Sequence, residues 1–419
     1  MGGMALLSPC TAPCQEAIKI YPATRGREFH DINPVWSTDG YLLAFERVPQ
    51  TGEGIHQIFF IQTFTDSIQG TLIRPLATQP SGWTLELFFA SYLSWAVRNG
   101  IYYCAYMNQT NLHIGRVEKD FSVKIGIFVK TEMSQNKYPA WSDKHNYIAF
   151  TSGATGAGDI YIKSYSDDYL RTGNDVHRDI SNARRIPYND DNALDSMPQW
   201  SPDGQNLVLV SKRYGNQDIF RLNGVFTSDA LLQRLTDSPE EETNPSWSPD
   251  GNYIAFYIIS GQDSGGGTCD LWVMTANGEH KTLIENNVYR REQKGPAWIA
   301  NLPQRRYPHP YLIYVKEHHV YVARIVQLQT EAQKAQINIT PIRNLRGYKY
   351  EYLTDLDCAP YDEDFRGVKI AYSAYNRLGD ARIYWVCLNP NNWTVQQEDA
   401  NAWFNDTNHP YYQEYQLKK

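Results

Sequence analysis

Asp31, Asn136, Asp195, Glu242 and Gln293 share a spacing. Each lies five residues before a tryptophan, at Trp36, Trp141, Trp200, Trp247 and Trp298. Oxygen-bearing side chains that recur at one position of a repeat can converge. The three carboxylates among them, Asp31, Asp195 and Glu242, would suit a hard divalent cation such as calcium, which takes oxygen ligands. The alternative is plain capping of strand starts. A second concentration of acids lies in two loops. "PYNDDNALDSM" holds Asp190, Asp191 and Asp195, and "TDSPEEETN" holds Asp237, Glu240, Glu241 and Glu242. Bases gather elsewhere: Arg290, Arg291 and Lys294 in "NNVYRREQKG", Arg25 and Arg27 in "ATRGREFHD". This segregation suits either a solvated charged rim or a docking face for a protein of complementary charge.

Residues for bond-breaking chemistry are sparse. "GATGAG" at 153–158 lacks the Lys-Ser/Thr ending of a phosphate-binding loop. His318 and His319 are neighbours. Neighbours on a strand point to opposite faces, so a shared metal would need further ligands. The ten histidines are scattered, and no blade-to-blade set recurs.

The elements that position these residues follow from one turn. In "NPSWSPDGNYIAF" at 244–256, Pro249 presets φ, Asp250 tolerates the third turn position and Gly251 takes the positive φ that closes it. Strand, tight turn and strand make a hairpin. "WSPDG" recurs at 200–204, with echoes in "PVWSTDGYLLAF" and "PAWSDKHNYIAF". A third strand follows each hairpin, opening on an aspartate, as in "DIFRL" and "DIYI". A fourth reads "KTLIE", "LLQRLT" or "ARRIP". The tryptophans, with Trp95 added and Tyr361 standing in for a seventh, are 59, 46, 59, 47, 51 and 63 residues apart. A core of constant length with variable insertions is the pattern of a radial repeat. The expected fold is all-β: a seven-bladed propeller of four-stranded antiparallel blades, with six blades plus an irregular segment as the alternative. Each anchor ring is expected to pack between neighbouring blades.

The pattern P-x-W-S-P-D-G-x-x-I-A-F, followed by D-I-Y and R-L-T, resembles the WD40-like repeat of TolB-type β-propellers, also called PD40. The resemblance covers roughly 15–390 and is sharpest between 136 and 285. The Gly-His and Trp-Asp signature of true WD40 repeats does not occur. TolB carries an α/β domain before its propeller, whereas here the first blade begins near residue 32, so TolB's docking to its own partners does not transfer. No G-x-S-x-G elbow occurs, so the hydrolase domain that some related propellers carry is not expected within this chain.

The expected layout is a tail at 1–14, the propeller over 15–397 and a tail at 398–419. Blades are placed near 32–75, 91–130, 137–187, 196–236, 243–285, 294–340 and 357–397. Residues 17–21 are expected to close the ring by pairing with 383–388, although "WTVQQ" at 393–397 competes for that place. A net charge of −7 argues against nucleic acid and anionic membranes. No run reaches the length of a membrane span, and the first residues do not read as a usual signal peptide. Among the six cysteines, Cys104 and Cys387 read as buried thiols, and Cys10 could pair with Cys14. The preferred functional expectation is a non-enzymatic interaction module or scaffold that presents its variable loops to another protein. The alternative is a glycan-active enzyme or glycan binder with a site at the channel mouth.

Overall fold

In the computed structural model the described residues are 29–395, apart from 52–56, 63–89, 109, 118–122, 130–135, 155, 166–182, 188–192, 260–267, 292, 318, 327–336, 343–349, 364–365 and 377–380. They form antiparallel strands and turns, with no helix among them. The first unit is Phe29–Trp36, Leu42–Pro49 and Gln57–Gln62. The second is Ala90–Arg98, Ile101–Asn108, Asn111–Val117 and Val123–Val129. Asn136–Trp141, Tyr147–Ser152, Asp159–Ser164 and Arg184–Arg185 follow, then Asp195–Trp200, Leu207–Ser211, Asp218–Asn223 and Leu231–Arg234. The fifth unit, Glu241–Trp247 to Thr282–Tyr289, joins the sixth, Ala297–Trp298 to Ile337–Ile342, through the single pair Val288 and Lys316. Tyr350–Asp362, Gly367–Asn376, Ala381–Asn389 and Thr394–Val395 make the last.

The turns form as their residues dictate. Gly40, Gly204 and Gly251 take φ of 73°, 71° and 73°. Ser248 Oγ donates to Asp250 Oδ1 (2.5 Å) and accepts from the Tyr253 amide (2.9 Å). Ser201 and Asp203 repeat the bond, as do Ser37 and Asp39. The aspartate that opens the third strand also has a task. Asp159 pairs with Arg185 (2.8 Å) and Asp218 with Arg234 (2.7 Å), tying the third strand to the fourth.

Strand alternation builds the core between sheets. Leu207 and Leu209 pack with Ala140, Ile160 and Ile162 of the unit before, while Val208 and Val210 pack with Trp247, Ile254 and Phe256 of the unit after. Both faces are buried, so the strand reads as a continuous apolar run. Clusters of this kind lie between successive sheets all the way round. The last joins Trp36, Leu43 and Phe45 to Ala359, Ala371, Ile383 and Trp385. That seam is reinforced by Lys369, which is buried. It donates to the Gly40 carbonyl (3.0 Å), pairs with Asp362 (3.4 Å) and lies 5.9 Å from the Trp36 ring.

Several expectations meet other outcomes. Thr394–Val395 pairs with Leu388 and Asn389, at the outer edge assigned to 17–21. Residues 17–21 and both tails lie outside the described residues. Cys387 is disulfide-bonded, not a buried thiol. Its partner lies outside the described residues, as does the expected pairing of Cys10 with Cys14. Cys104 is a free buried thiol, pushed up to about 12 by burial.

Candidate functional site

The innermost strand of a unit is its first, and in six units it carries a bulge. Register shifts fall between Ile32 and Val35, Ser91 and Ser94, Lys137 and Ala140, Ser196 and Gln199, Thr243 and Ser246, and Thr354 and Asp357. One residue in each takes positive φ: Asn33, Tyr92, Tyr138, Met197, Asn244 and Asp355, between 49° and 58°. A bulge puts one extra residue on its strand and changes which face the following side chains occupy. In the sixth unit Gly295 holds the corresponding place. A Cβ there would lie 2.7 Å from the Asn244 carbonyl oxygen, so only glycine lets the two strands approach.

Three residues past the bulge sits the anchor. Trp95 Nε1 donates to the Val35 carbonyl (3.2 Å), Trp141 to Ser94 (3.1 Å), Trp200 to Ala140 (3.1 Å) and Trp298 to Ser246 (3.3 Å). Each indole thus stitches one unit to the one before. In the last unit the register places Cys358, not Tyr361, at the anchor, and its Sγ donates to the Trp298 carbonyl (3.1 Å). The Tyr361 assignment failed because no tryptophan marks the place, and the nearest aromatic was three residues too late.

Inside the ring lies a cavity of about 510 Å³. Its lining includes edges of Trp141, Trp200, Trp247 and Trp298, which are otherwise buried between sheets, with Tyr92, Tyr138 and Gln199, and it reaches Ser201, Pro202 and Pro249 of the tight turns. Arg291, Gln293 and Lys294 line it and also line a second space of about 20 Å³ with Asn33, Pro34, Val35 and Asp355. They form the partition between the two. Gln293 Oε1 accepts from the Tyr92 amide (2.7 Å), a bond across the ring. Beside it Glu46 is buried and accepts from Asn33 Nδ2 (3.1 Å). Desolvation, with a smaller push from Asp355, raises Glu46 to about 7. Arg291 is held at both ends, by Asp357 Oδ1 (2.6 Å) and the Gly295 carbonyl (2.9 Å). Asp357 Oδ2 accepts from the Trp36 amide (2.8 Å). Lys294 stands next to this pair, and enclosure by protein pushes its ammonium down to about 8.

The carboxylates proposed as cation ligands do not converge. Asp31 is held by Arg47 through two bonds of 2.7 and 3.0 Å, and both are buried. Asp195 is held by Arg213 at 3.1 and 2.9 Å. Glu242 is buried and accepts from Ser238 Oγ (3.0 Å). Burial raises both Asp195 and Glu242 above the usual carboxylate range. Among the described residues no three His, Cys, Asp or Glu are grouped to hold a metal ion. Counting five residues back along an unbroken strand ignored the bulge. The signal was there: Pro34, Pro139, Pro198, Pro245 and Pro296 stand two residues before their anchors, and proline inside a strand marks a bulge or an edge.

The docking face is likewise reduced. Asp195 and Glu242 are buried and cannot meet a partner. Asp237 and Glu240 are exposed, Glu241 is half-buried with its carboxylate accepting from the Gln217 amide (3.1 Å), and Asp190 and Asp191 lie outside the described residues. His319 Nδ1 bonds the Glu317 carbonyl (2.8 Å), while His318 lies outside the described residues. Arg291 and Lys294, expected on a charged rim or docking face, stand on the cavity wall.

Residues 139–302 match the family model of the TolB β-propeller domain. That stretch carries the TolB-type propeller repeat. A TolB protein of the Tol-Pal system, from Ruthia magnifica subsp. Calyptogena magnifica, is 30% identical over 98 residues, 23% of this chain and 19% of that protein. The uncharacterized peptidase YuxL of Bacillus subtilis is 28% identical over 145 residues, 33% of this chain and 21% of YuxL. The chain thus spans about a fifth of the length of these curated relatives. A puromycin-hydrolyzing peptidase of Mycobacterium tuberculosis shares the fold, with a TM-score of 0.57, 11% identity and coverage of 87% of this chain and 52% of that one. These likenesses overturn the expectation of a non-enzymatic scaffold, since proteins called peptidases recur among them. Among the described residues no helix is long and apolar enough to cross a membrane.

Proposed function

We propose that this TolB-type propeller serves peptide hydrolysis, with its cavity receiving one end of the substrate peptide. The observation that carries the reading is the cavity itself. It is lined in part by tryptophan edges, it reaches the tight turns at one end, and the Gln293–Tyr92 bond divides it from the rest of the channel at the other. Its volume of about 510 Å³ lies within the usual range of ligand sites, about 300–1,000 Å³. A short peptide end fits such a space and a folded domain does not. The likeness to YuxL supports peptides as the substrate class. A peptide entering end-first would meet a mixed lining of tyrosine, glutamine and serine side chains and tryptophan edges while the partition stops it.

The test is binding of short synthetic peptides to the purified chain, read by isothermal titration calorimetry. Short peptides are expected to bind. Gln199→Trp, which places a large ring in the cavity from the innermost strand Asp195–Trp200, is expected to abolish most of the binding. A wild-type protein that binds no peptide overturns the reading, and so does a filled cavity that leaves the affinity unchanged.

A further inference from the structure

We propose that the floor of this cavity is a receptor for the C-terminal carboxylate of a peptide, and that Lys294 is the group that recognises it. The inference rests on the peptide reading above and adds the direction of entry and the charge of the end that enters.

Three observations lead to it. The first is the state of the charges on the cavity wall. Arg291 is neutralised: one guanidinium nitrogen meets Asp357 Oδ1 at 2.6 Å and the other the Gly295 carbonyl at 2.9 Å. The second oxygen of Asp357 accepts from the Trp36 amide. Asp143, the other carboxylate on the wall, belongs to the hairpin turn at Lys144, with Arg98 also acting on it. Lys294 makes no side-chain hydrogen bond and no ion pair with any described residue; enclosure by protein, opposed by the nearby Asp357 carboxylate, pushes its ammonium down to about 8. An enclosed ammonium whose neighbouring carboxylate is already bound to Arg291 is costly, and a methionine of similar length would avoid that cost. A contacting counter-charge is what a ligand would bring.

The second observation is position. Lys294 adjoins Gln293, the residue whose bond to Tyr92 spans the ring, and both line the small space beyond. Lys294 therefore stands at the floor, whereas the other ammonium on the lining, Lys144, belongs to a hairpin turn. A chain entering end-first presents its terminus there. The third is sign. A peptide's amino terminus would be repelled by Lys294 and its carboxylate attracted, so the carboxyl end leads.

The test compares peptides that share one apolar sequence and an N-terminal fluorophore but end in a free carboxylate or a carboxamide. Binding is read by fluorescence anisotropy on ice at neutral pH, with intact peptide verified by mass spectrometry. The free acid is expected to bind roughly tenfold tighter, the worth of one hydrogen bond to a charged group. Lys294→Met is expected to remove that difference while leaving amide binding in place, and Lys294→Arg to keep most of it. Equal binding of acid and amide to the wild type overturns the carboxylate receptor and leaves the peptide reading standing. An acid preference that survives in Lys294→Met overturns the role of Lys294. If neither peptide binds at all, both readings fail together.

Discussion

Two groups of charge near the start of the innermost strands are treated in opposite ways. Carboxylates there are dense in the sequence and quenched in the fold. Asp31 is clasped by Arg47, Asp195 by Arg213, and Glu242 is buried against Ser238. One residue past the matching place in the sixth unit, Lys294 lines the cavity and has neither an ion pair nor a side-chain hydrogen bond with any described residue. A count of charged residues points to the carboxylates. Burial and pairing point to the lysine. Formal charge says where ions are, whereas a site needs charge that nothing inside the protein has satisfied.

The largest expected effect breaks this contrast directly. Arg47→Met should strand Asp31, which is 1% exposed, without its cation. Removing one member of a buried pair costs about 3–5 kcal/mol. Lys294→Met removes a charge that has no partner to strand, so its cost should stay within about 1 kcal/mol or become a gain. Urea unfolding of the two variants side by side checks the pair. Equal losses would mean that Lys294 is as firmly paired as Arg47, and the contrast would collapse.

Much of the frame could be read from residues. "WSPDG" announced the turn, and the Ser248–Asp250 bond with Gly251 at φ 73° is its structure. The tryptophan spacing announced a ring of packed sheets, because an indole between units needs the same place in each. The carboxylate positions misled because a bulge is one extra residue. It leaves the spacing to tryptophan unchanged and alters which way the side chains before it face. Cys358 was hidden for a related reason: its thiol replaces the indole N–H as donor to the neighbouring carbonyl, and no pattern of aromatics reveals that. The cavity's cation was visible in "RREQKG" but not its lack of a contacting partner. That depends on Asp357, 66 residues after Arg291, bonding the arginine while reaching the lysine only through its field.

A smaller effect sharpens the picture of the partition beside Lys294. Glu46 sits beside the partition, and burial raises it from 4.5 to about 7. The native state therefore holds this proton more tightly than the unfolded chain does. The resulting stability is complete below about 4.5 and is lost as pH rises through about 7. Above that, a buried anion costs roughly 3 kcal/mol. The groups acting on it are Asn33, Gln293, Asp355 and the Tyr92 backbone. Glu46→Gln keeps the shape and removes the titration. It should be more stable than wild type at pH 8 and no better at pH 4.5, as read from thermal melts across that range. Parallel pH profiles for the two proteins would show Glu46 to be solvated, and the partition would not exclude water.

The smallest expected effect belongs to the exposed acids. Asp237 is 78% exposed and meets Lys281 at 3.5 Å, a surface pair worth about 0–1 kcal/mol. Glu240 is exposed as well. Both precede the strand Glu241–Trp247, and a Cβ on Gly295, the neighbour of Lys294, would lie 2.7 Å from the Asn244 carbonyl oxygen of that strand. At about 3.3 Å per residue the stretch from Glu240 to Asn244 spans roughly 13 Å. The screening length at physiological salt is about 8 Å. Reversing both charges, Asp237→Lys with Glu240→Lys, should therefore change the affinity of a carboxylate-ended peptide by less than about twofold at that salt. Stability should move by no more than about 0.5 kcal/mol. A larger change in peptide affinity would mean that the field of the acidic loop reaches the floor of the cavity, where it opposes the attraction of Lys294 for the same carboxylate. At low salt, where screening weakens, the double variant is expected to show a modest rise in association rate. Stopped-flow measurements at two ionic strengths separate that long-range term from any local disturbance, because only the long-range term fades as salt is added.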